Sequence, residues 1–304
     1  MPTAPWMYLD GKIVAYGEAT VHAFSGVVKY GCGVFEGLRG YAGGDGQLYV
    51  FRLPEHLERL RFGEKVMRYD TVHDQAELAD AVLSMLRANE LHEDVHIRLI
   101  AYMDGDLPLH QTGPIGLIAG AVPRPSKGAG GGVHVCVSSW QRIADAALPA
   151  RVKATGNYVN NRAAEIAAMQ DGYDGVLMLT AQGKVAEGSG ACLFLVRDGR
   201  LITPGVDSDI LESITRDTVL ALAPEVAGAA AIERTVDRSE LYAASEAFWC
   251  GSGQEIEPIL SVDRLPVGDG TVGPVTRAMQ ERYFAVVRGE DPAYRHWLTP
   301  VWPA

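Results

Sequence analysis

The chain has 304 residues, 47% of them hydrophobic, a mean hydropathy near zero and a formal net charge of -11 with a pI near 5.2. That is enough chain for two domains with their own cores, while the acidic balance argues against nucleic acid as a main partner, because neutralising phosphates takes a clustered basic face. No apolar run approaches the ~20 residues that span a bilayer, and the N-terminal residues 1–5 lack the charged and apolar regions of a signal peptide, so a cytoplasmic protein with no membrane partner is expected.

Residues 6–16 read as a hairpin closed by Asp10-Gly11. The run from Tyr30 to Tyr41 carries glycines at 31, 33, 37 and 40, which weaken any helix or strand and point to close backbone approach. Residues 47–52 read as a strand, and Pro54 opens an amphipathic helix with Leu57, Leu60 and Met67 on one side and Arg59 and Arg61 along it. A second helix over about 75–90 turns Leu78, Ala81, Val82 and Met85 inward. Strands at 96–102 and 115–122 complete a first, antiparallel domain over 1–122.

Residues 123–132 combine two prolines with four glycines and are read as the interdomain linker, leaving 133–304 as a larger C-terminal domain. A strand at 133–139 leads into Arg151-Val-Lys153-Ala-Thr-Gly-Asn-Tyr158, ahead of a helix expected from about Asn160 to Gln170 and ended by Gly172. Strands follow at 176–179, 184–186 and 192–196, then a Ser213-capped helix, a buried strand at 247–250 running into Gly251-Ser-Gly253, and a last helix from Pro274 to Val287.

Chemistry narrows the candidates. Imine formation needs an amine that can lose its proton, which arginine cannot. Of the 27 Lys+Arg, Lys153 is the lysine placed at a strand-to-helix junction, where partial desolvation would favour the neutral amine; the other lysines fall in turns, a charged helix and the linker. A lone lysine is ordinarily a solvated surface residue, so its neighbours have to support it. Arg59, the helix start at Ile214-Thr215 and the turn Ser252-Gly253 together suit one phosphate, since a helix N-terminus offers N–H donors and arginine a planar fork. Glu187, entering the glycine turn Glu187-Gly-Ser-Gly190, suits a protonated heteroaromatic nitrogen. Taken singly, each also reads as a plain helix, turn or surface residue. Cys32, Cys136, Cys192 and Cys250 are widely spaced with no C-x-x-C pair and read as reduced core residues; no metal site is expected.

Several segments in order, Tyr30-Gly-x-x-Val-Phe-Glu-Gly-Leu-Arg39, His56-Leu-x-Arg59, Ile97-Arg98, Lys153-x-x-Gly-Asn-Tyr158, Glu187-Gly-Ser-Gly190, Ile214-Thr-Arg-Asp217, Gly251-Ser252 and Gly273-Pro-Val-Thr276, give the chain its likeness. From about residue 7 to 288 it resembles the fold-type IV pyridoxal-phosphate aminotransferases, and among them the branched-chain amino acid aminotransferases most closely. The resemblance implies an α+β fold, with a small α/β sandwich domain and a larger domain carrying a barrel-like sheet. It implies pyridoxal 5'-phosphate bound to Lys153 as an aldimine, with Glu187 facing the ring nitrogen, Tyr158 the phenolic oxygen, and Arg59, Ile214, Thr215 and Ser252 the phosphate. Tyr30, Phe35, His96, Arg98 and Gly253 are the substrate-pocket candidates. A ping-pong exchange between a branched-chain or related hydrophobic amino acid and 2-oxoglutarate is implied, in a homodimer. Departures fall on the pocket: His96 stands where the family usually has tyrosine, Leu99 where it has proline, Cys192 where asparagine is frequent, and Ser213 where glycine precedes the helix. A D-amino acid or (R)-amine transaminase and an aminodeoxychorismate lyase share the scaffold and are the alternatives; a D-amino acid enzyme would carry Arg-x-His, the reverse of His96-Ile-Arg98.

Overall fold

The computed structural model describes residues 4–303. The chain divides into two units. Unit 1 takes the chain up to Ser126, Val152–Gly156 and the chain from Ala285 onward; unit 2 takes Lys127–Arg151 and Asn157–Phe284. A single split into 1–122 and 133–304 differs from this at two places, each with a packing reason. Val152 and Ala154 are buried in the apolar cluster of unit 1, and Leu298–Pro300 pairs antiparallel with the strand Leu48–Phe51.

Unit 1 is built on a sheet of β1 (Trp6–Leu9), β2 (Lys12–Ala15), β3 (Gly33–Ala42), β4 (Leu48–Phe51), β5 (Val95–Met103), β6 (Ile115–Pro123) and the C-terminal strand Leu298–Pro300. Every pairing in it is antiparallel, in the order C-terminal strand, β4, β3, β5, β6, β1, β2. Asp10 and Gly11 turn the β1–β2 hairpin with φ of 46° and 85°, the left-handed values that a tight hairpin turn requires. Helices α2 (Leu53–Val66) and α3 (Gln75–Ala88) pack on the sheet through Leu57, Leu60, Leu78, Val82 and Met85, against Val34, Leu38 and Ile97. Each such side chain contributes roughly 1.5–3 kcal/mol of burial before the entropy of ordering it is subtracted. Asp74 starts α3 by accepting from the Glu77 N–H. The glycine run read as a strand-weakening segment is instead a ten-residue, buried strand near the middle of the sheet. Its glycines serve neighbouring side chains: a Cβ on Gly40 would lie 2.7 Å from Val95 Cγ2.

Unit 2 carries β7 (Val133–Val137), β8 (Gly175–Leu179), β9 (Val185–Gly188), β10 (Cys192–Arg197), β11 (Arg200–Thr203), β12 (Ile232–Glu233), β13 (Glu246–Gly251), β14 (Glu255–Val262) and β15 (Leu265–Pro266). The order is β12-β11-β10-β13-β14-β7-β8-β9, with β15 on β14. Although β9 ends this order, Val185 N–H donates to Val236 O at 2.9 Å, and Lys184 bridges Asp237, both just beyond β12 at the other end. The sheet therefore curls toward closure into the expected barrel-like form. Helix α4 (Asn157–Gln170) sets Ala164 and Ala168 on Val176 and Met178 of β8. It starts at Asn157, three residues before the expected Asn160, and Asn157 is buried with its Nδ2 donating to Pro149 O at 3.0 Å. Helix α5 (Ile214–Ala227) and the part of α6 (Pro274–Val287) up to Phe284 complete the unit. Among the described residues no helix is long and apolar enough to cross a membrane.

Candidate functional site

The segment Val152–Gly156 docks on the start of β3. Phe35 N–H donates to Lys153 O at 2.9 Å, Thr155 Oγ1 donates to Gly31 O at 2.5 Å, and Gly156 N–H donates to the same oxygen at 3.2 Å. Gly31 is required here, because a Cβ on it would lie 3.1 Å from Gly156 Cα and its φ is 68°. With its backbone pinned, Lys153 places Nζ 5.0 Å from the centroid of the buried Phe35 ring, and Arg98 Cζ stands 4.9 Å from the same ring.

Strand register builds the rest of this face. Gly37 faces Arg98, and Arg39 faces His96, across the β3–β5 ladder. A Cβ on Gly37 would lie 3.3 Å from His96 Cε1 and 3.6 Å from an Arg98 guanidinium nitrogen, so the glycine leaves room for both. Burial first, then the positive charges of Arg98, Arg124, Arg39 and Lys153, push His96 down to about 3, leaving its imidazole neutral at pH 7. Its Nδ1 is buried without a hydrogen-bond partner. The structure thus brings Phe35, His96, Arg98 and Lys153 together in unit 1. Tyr30 ends the short helix α1 (Gly26–Tyr30) in a largely exposed position.

Arg59 lies on α2, and its Nε and Nη2 each meet a carboxylate oxygen of Glu36 at 2.7 Å, while His56 Nδ1 meets Glu36 Oε2 at 2.7 Å. Glu36 and His56 fall within the segments that carry the family likeness, but neither is a site candidate from sequence. Strand alternation is the signal that could have found them, since Glu36 shares a face with the apolar Val34 and Leu38 and so has to meet a partner.

In unit 2, Glu187 sits near the end of β9 with its carboxylate buried and held on both oxygens. Arg142 Nε donates to Oε1 at 2.9 Å, Leu211 N–H donates to Oε2 at 3.2 Å, and Cys192 Sγ lies 3.6 Å from Oε2. Arg142 Nη1 also donates to Asn161 Oδ1 at 3.1 Å, and Asn161 Nδ2 donates to Ser189 O at 2.5 Å, tying the glycine turn to α4. Arg142, in a loop with no regular pattern, gave no local signal. Burial raises the Cys192 thiol well above its usual range, with the negative Glu187 adding to it, so the group beside Glu187 remains S–H.

Four further candidates converge on the same end of this sheet. Leu211, whose N–H reaches Glu187, leads directly into α5, where Ser213 Oγ accepts from Arg216 N–H. The N–H groups of Ile214 and Thr215 stand ahead of the helical ladder, the place where a helix offers donors to an anion. Register sets Cys192 opposite Cys250, which places the turn holding Ser252 and Gly253 beside the Glu187 turn; a Cβ on Gly251 would lie 3.2 Å from Gly190 O. Tyr158 occupies the first turn of α4, half-buried. A phosphorylated pyridine aldehyde calls for an amine, an anionic acceptor for its ring nitrogen and N–H donors for its phosphate. Lys153, Glu187 and the start of α5 have that chemistry, so the residues present fit the group.

Residues 33–262 match the family model described as amino-transferase class IV. A probable branched-chain-amino-acid aminotransferase of Aquifex aeolicus is 38% identical over 304 residues, 97% of this chain and 96% of its own. The structure of a branched-chain aminotransferase from Thermoproteus uzoniensis with norvaline superposes with a TM-score of 0.94 at 40% identity, covering 99% of this chain and 100% of that one. A branched-chain amino acid aminotransferase from Thermobaculum terrenum, solved in its PLP form, gives a TM-score of 0.92 at 41% identity, with 99% of each chain covered.

Proposed function

The chain belongs to the class IV aminotransferases, and from that membership we propose that it transfers the amino group of a branched-chain or related hydrophobic amino acid to 2-oxoglutarate, with pyridoxal 5'-phosphate as cofactor. The observation on this chain that carries the reading is the Glu187 carboxylate, buried and held on both oxygens by Arg142, Leu211 and Cys192. A carboxylate dehydrated and oriented in this way is a preorganised acceptor for a cationic ring N–H, and forming it costs no reorganisation during the reaction.

When bound, the cofactor supplies an aldehyde for the substrate amine and a ring that draws electrons from the α-carbon. Lys153 Nζ would hold that aldehyde, and the same amine would serve as the base that takes the substrate α-proton and as the acid that returns it. Glu187 holds the proton on the ring nitrogen, and Tyr158 donates to the phenolic oxygen. Ile214 and Thr215 N–H, Ser252 and Arg59 bind the phosphate. Phe35 gives the aliphatic substrate an apolar wall, Arg98 receives a second carboxylate when 2-oxoglutarate is the acceptor, and Tyr30, His96 and Gly253 border the same space.

We further propose a homodimer. On α4, Val159 and Met169 are 71% and 63% exposed, and in unit 1 Phe24, Val28 and Leu109 are also exposed, apolar surface that association would cover. The function is tested with a panel of L-amino acids, D-amino acids and amines against 2-oxoglutarate, measuring glutamate. Glutamate formed with L-leucine, L-isoleucine and L-valine as the fastest donors is expected. Glutamate only from D-amino acids or amines, or pyruvate released from aminodeoxychorismate without glutamate, would overturn it.

A further inference from the structure

Glu36 is completely buried on the face of β3 opposite Phe35, and the mechanism above gives it nothing to do. Strand alternation sets it beside Val34 and Leu38 against α2, in a layer otherwise filled by Leu57 and Leu60. An acid there is an expensive choice, because an apolar side chain of similar volume would fill the space without dehydrating a charge. Burial alone would raise its pKa, yet Arg59 and His56 outweigh that and hold it at about 2, so the carboxylate stays ionised. Burial pushes the His56 pKa down as well, against the pull of Glu36. The contact between them is therefore a neutral imidazole N–H donating to a carboxylate, a strut rather than an ion pair.

A bidentate bond has a consequence that one bond lacks: Nε and Nη2 each meet their own carboxylate oxygen at 2.7 Å, which fixes the plane of the Arg59 guanidinium and the direction of its remaining N–H groups. His56, on the same helix, meets Oε2 at 2.7 Å and prevents the carboxylate from rotating. Arg59 itself retains 11% side-chain exposure while Glu36 has none, so the pair runs from the core outward.

We propose that Glu36 is a positioning residue, which with His56 holds the Arg59 guanidinium in the one orientation that receives the phosphate monoester of the cofactor. The inference rests on the aminotransferase reading and on the phosphate role of Arg59 within it. Its rival is that Glu36 only balances the charge of Arg59. The two differ in sign, since a charge balancer removed would leave Arg59 a stronger attractor for an anion, whereas a lost strut would leave it misdirected.

The test titrates full-length apoprotein with pyridoxal 5'-phosphate and, separately, with pyridoxal, which lacks the phosphate, in wild type, Glu36→Gln and Glu36→Asp. Both variants are expected to lose ~10-fold or more in affinity for the phosphorylated form, because a misplaced donor loses most of its value, and under ~2-fold for pyridoxal. In an Arg59→Ala background the Glu36→Gln effect is expected to vanish, because Glu36 acts through Arg59. Equal losses for both ligands, tighter binding by Glu36→Gln, or an undiminished loss in the Arg59→Ala background would each overturn the proposal. Glu36→Asp keeps the charge and shortens the reach, so it decides the matter even where Glu36→Gln does not fold. A wild-type protein that binds neither ligand would sink the aminotransferase reading instead, which separates the two failures.

Discussion

Lys153 and Glu187 differ in how the chain prepares them. Lys153 is placed by its backbone, through the bond from Phe35 N–H, and its amine rests over an aromatic ring; Glu187 is placed by its own carboxylate, with donors on both oxygens. Removing the first takes away the reacting atom, so Lys153→Ala is expected to abolish glutamate formation, and a variant with near-normal turnover would contradict the mechanism. Glu187→Gln retains the shape but leaves Arg142 buried beside a neutral amide; a fall of ~100-fold in kcat is expected, with the protein still folded by circular dichroism. His96 carries a different consequence. Its pKa drops from 6.5 in the unfolded chain to about 3 when folded, so the unfolded state binds the proton first as pH falls. The stability it contributes is complete above 6.5 and is lost as pH falls toward 3. Urea unfolding followed from pH 7 to 5 is expected to show a shallower pH dependence in His96→Gln than in wild type, and identical slopes would count against the neutral imidazole.

At the scale of elements, β3 and α5 carry the arrangement. Gly40 lets β3 lie against the side chains of β5 and β4, and Gly40→Val would drive two methyl groups into Val95 and Leu48. A loss of about 1–3 kcal/mol in unfolding free energy is expected. Ser213 caps α5, and Ser213→Ala is expected to cost about 1 kcal/mol of stability and to weaken retention of the phosphorylated cofactor, since the cap orders the turn that presents Ile214 and Thr215. Helices and hairpins of this chain were legible because their signals are local: Asp10-Gly11 at the first turn, Pro54 at the start of α2, Ser213 at the start of α5. The glycines of β3 misled, because what favours glycine there is the neighbouring strand's side chains, and sequence does not show which strand will be the neighbour. The triad of Glu36, His56 and Arg59 is half-legible, with Arg59 given a role by its sequence and Glu36 and His56 standing only as members of the matching segments. Arg142 was out of reach, as its partner is 45 residues away and no pattern links a loop arginine to the end of a strand.

For the whole molecule, the chain passes Val152–Gly156 into unit 1 before returning to unit 2 at Asn157. The lysine is thereby held by the unit with the cation-rich strand face, while the carboxylate and the α5 N-terminus belong to the curled sheet of the other. Acid sensitivity should follow the same division. Glu36 in unit 1, with a folded pKa of about 2 against 4.5 unfolded, adds stability that is complete above 4.5 and lost as pH falls toward 2, on top of the loss through His96 at higher pH. Everything proposed for this enzyme depends on one amine forming the covalent link to pyridoxal 5'-phosphate. Reducing the cofactor-loaded protein with borohydride and mapping the labelled peptide by mass spectrometry tests it directly. The account expects a single phosphopyridoxyl adduct on Lys153; an adduct on another lysine, or no adduct in protein that has bound the cofactor, would contradict it.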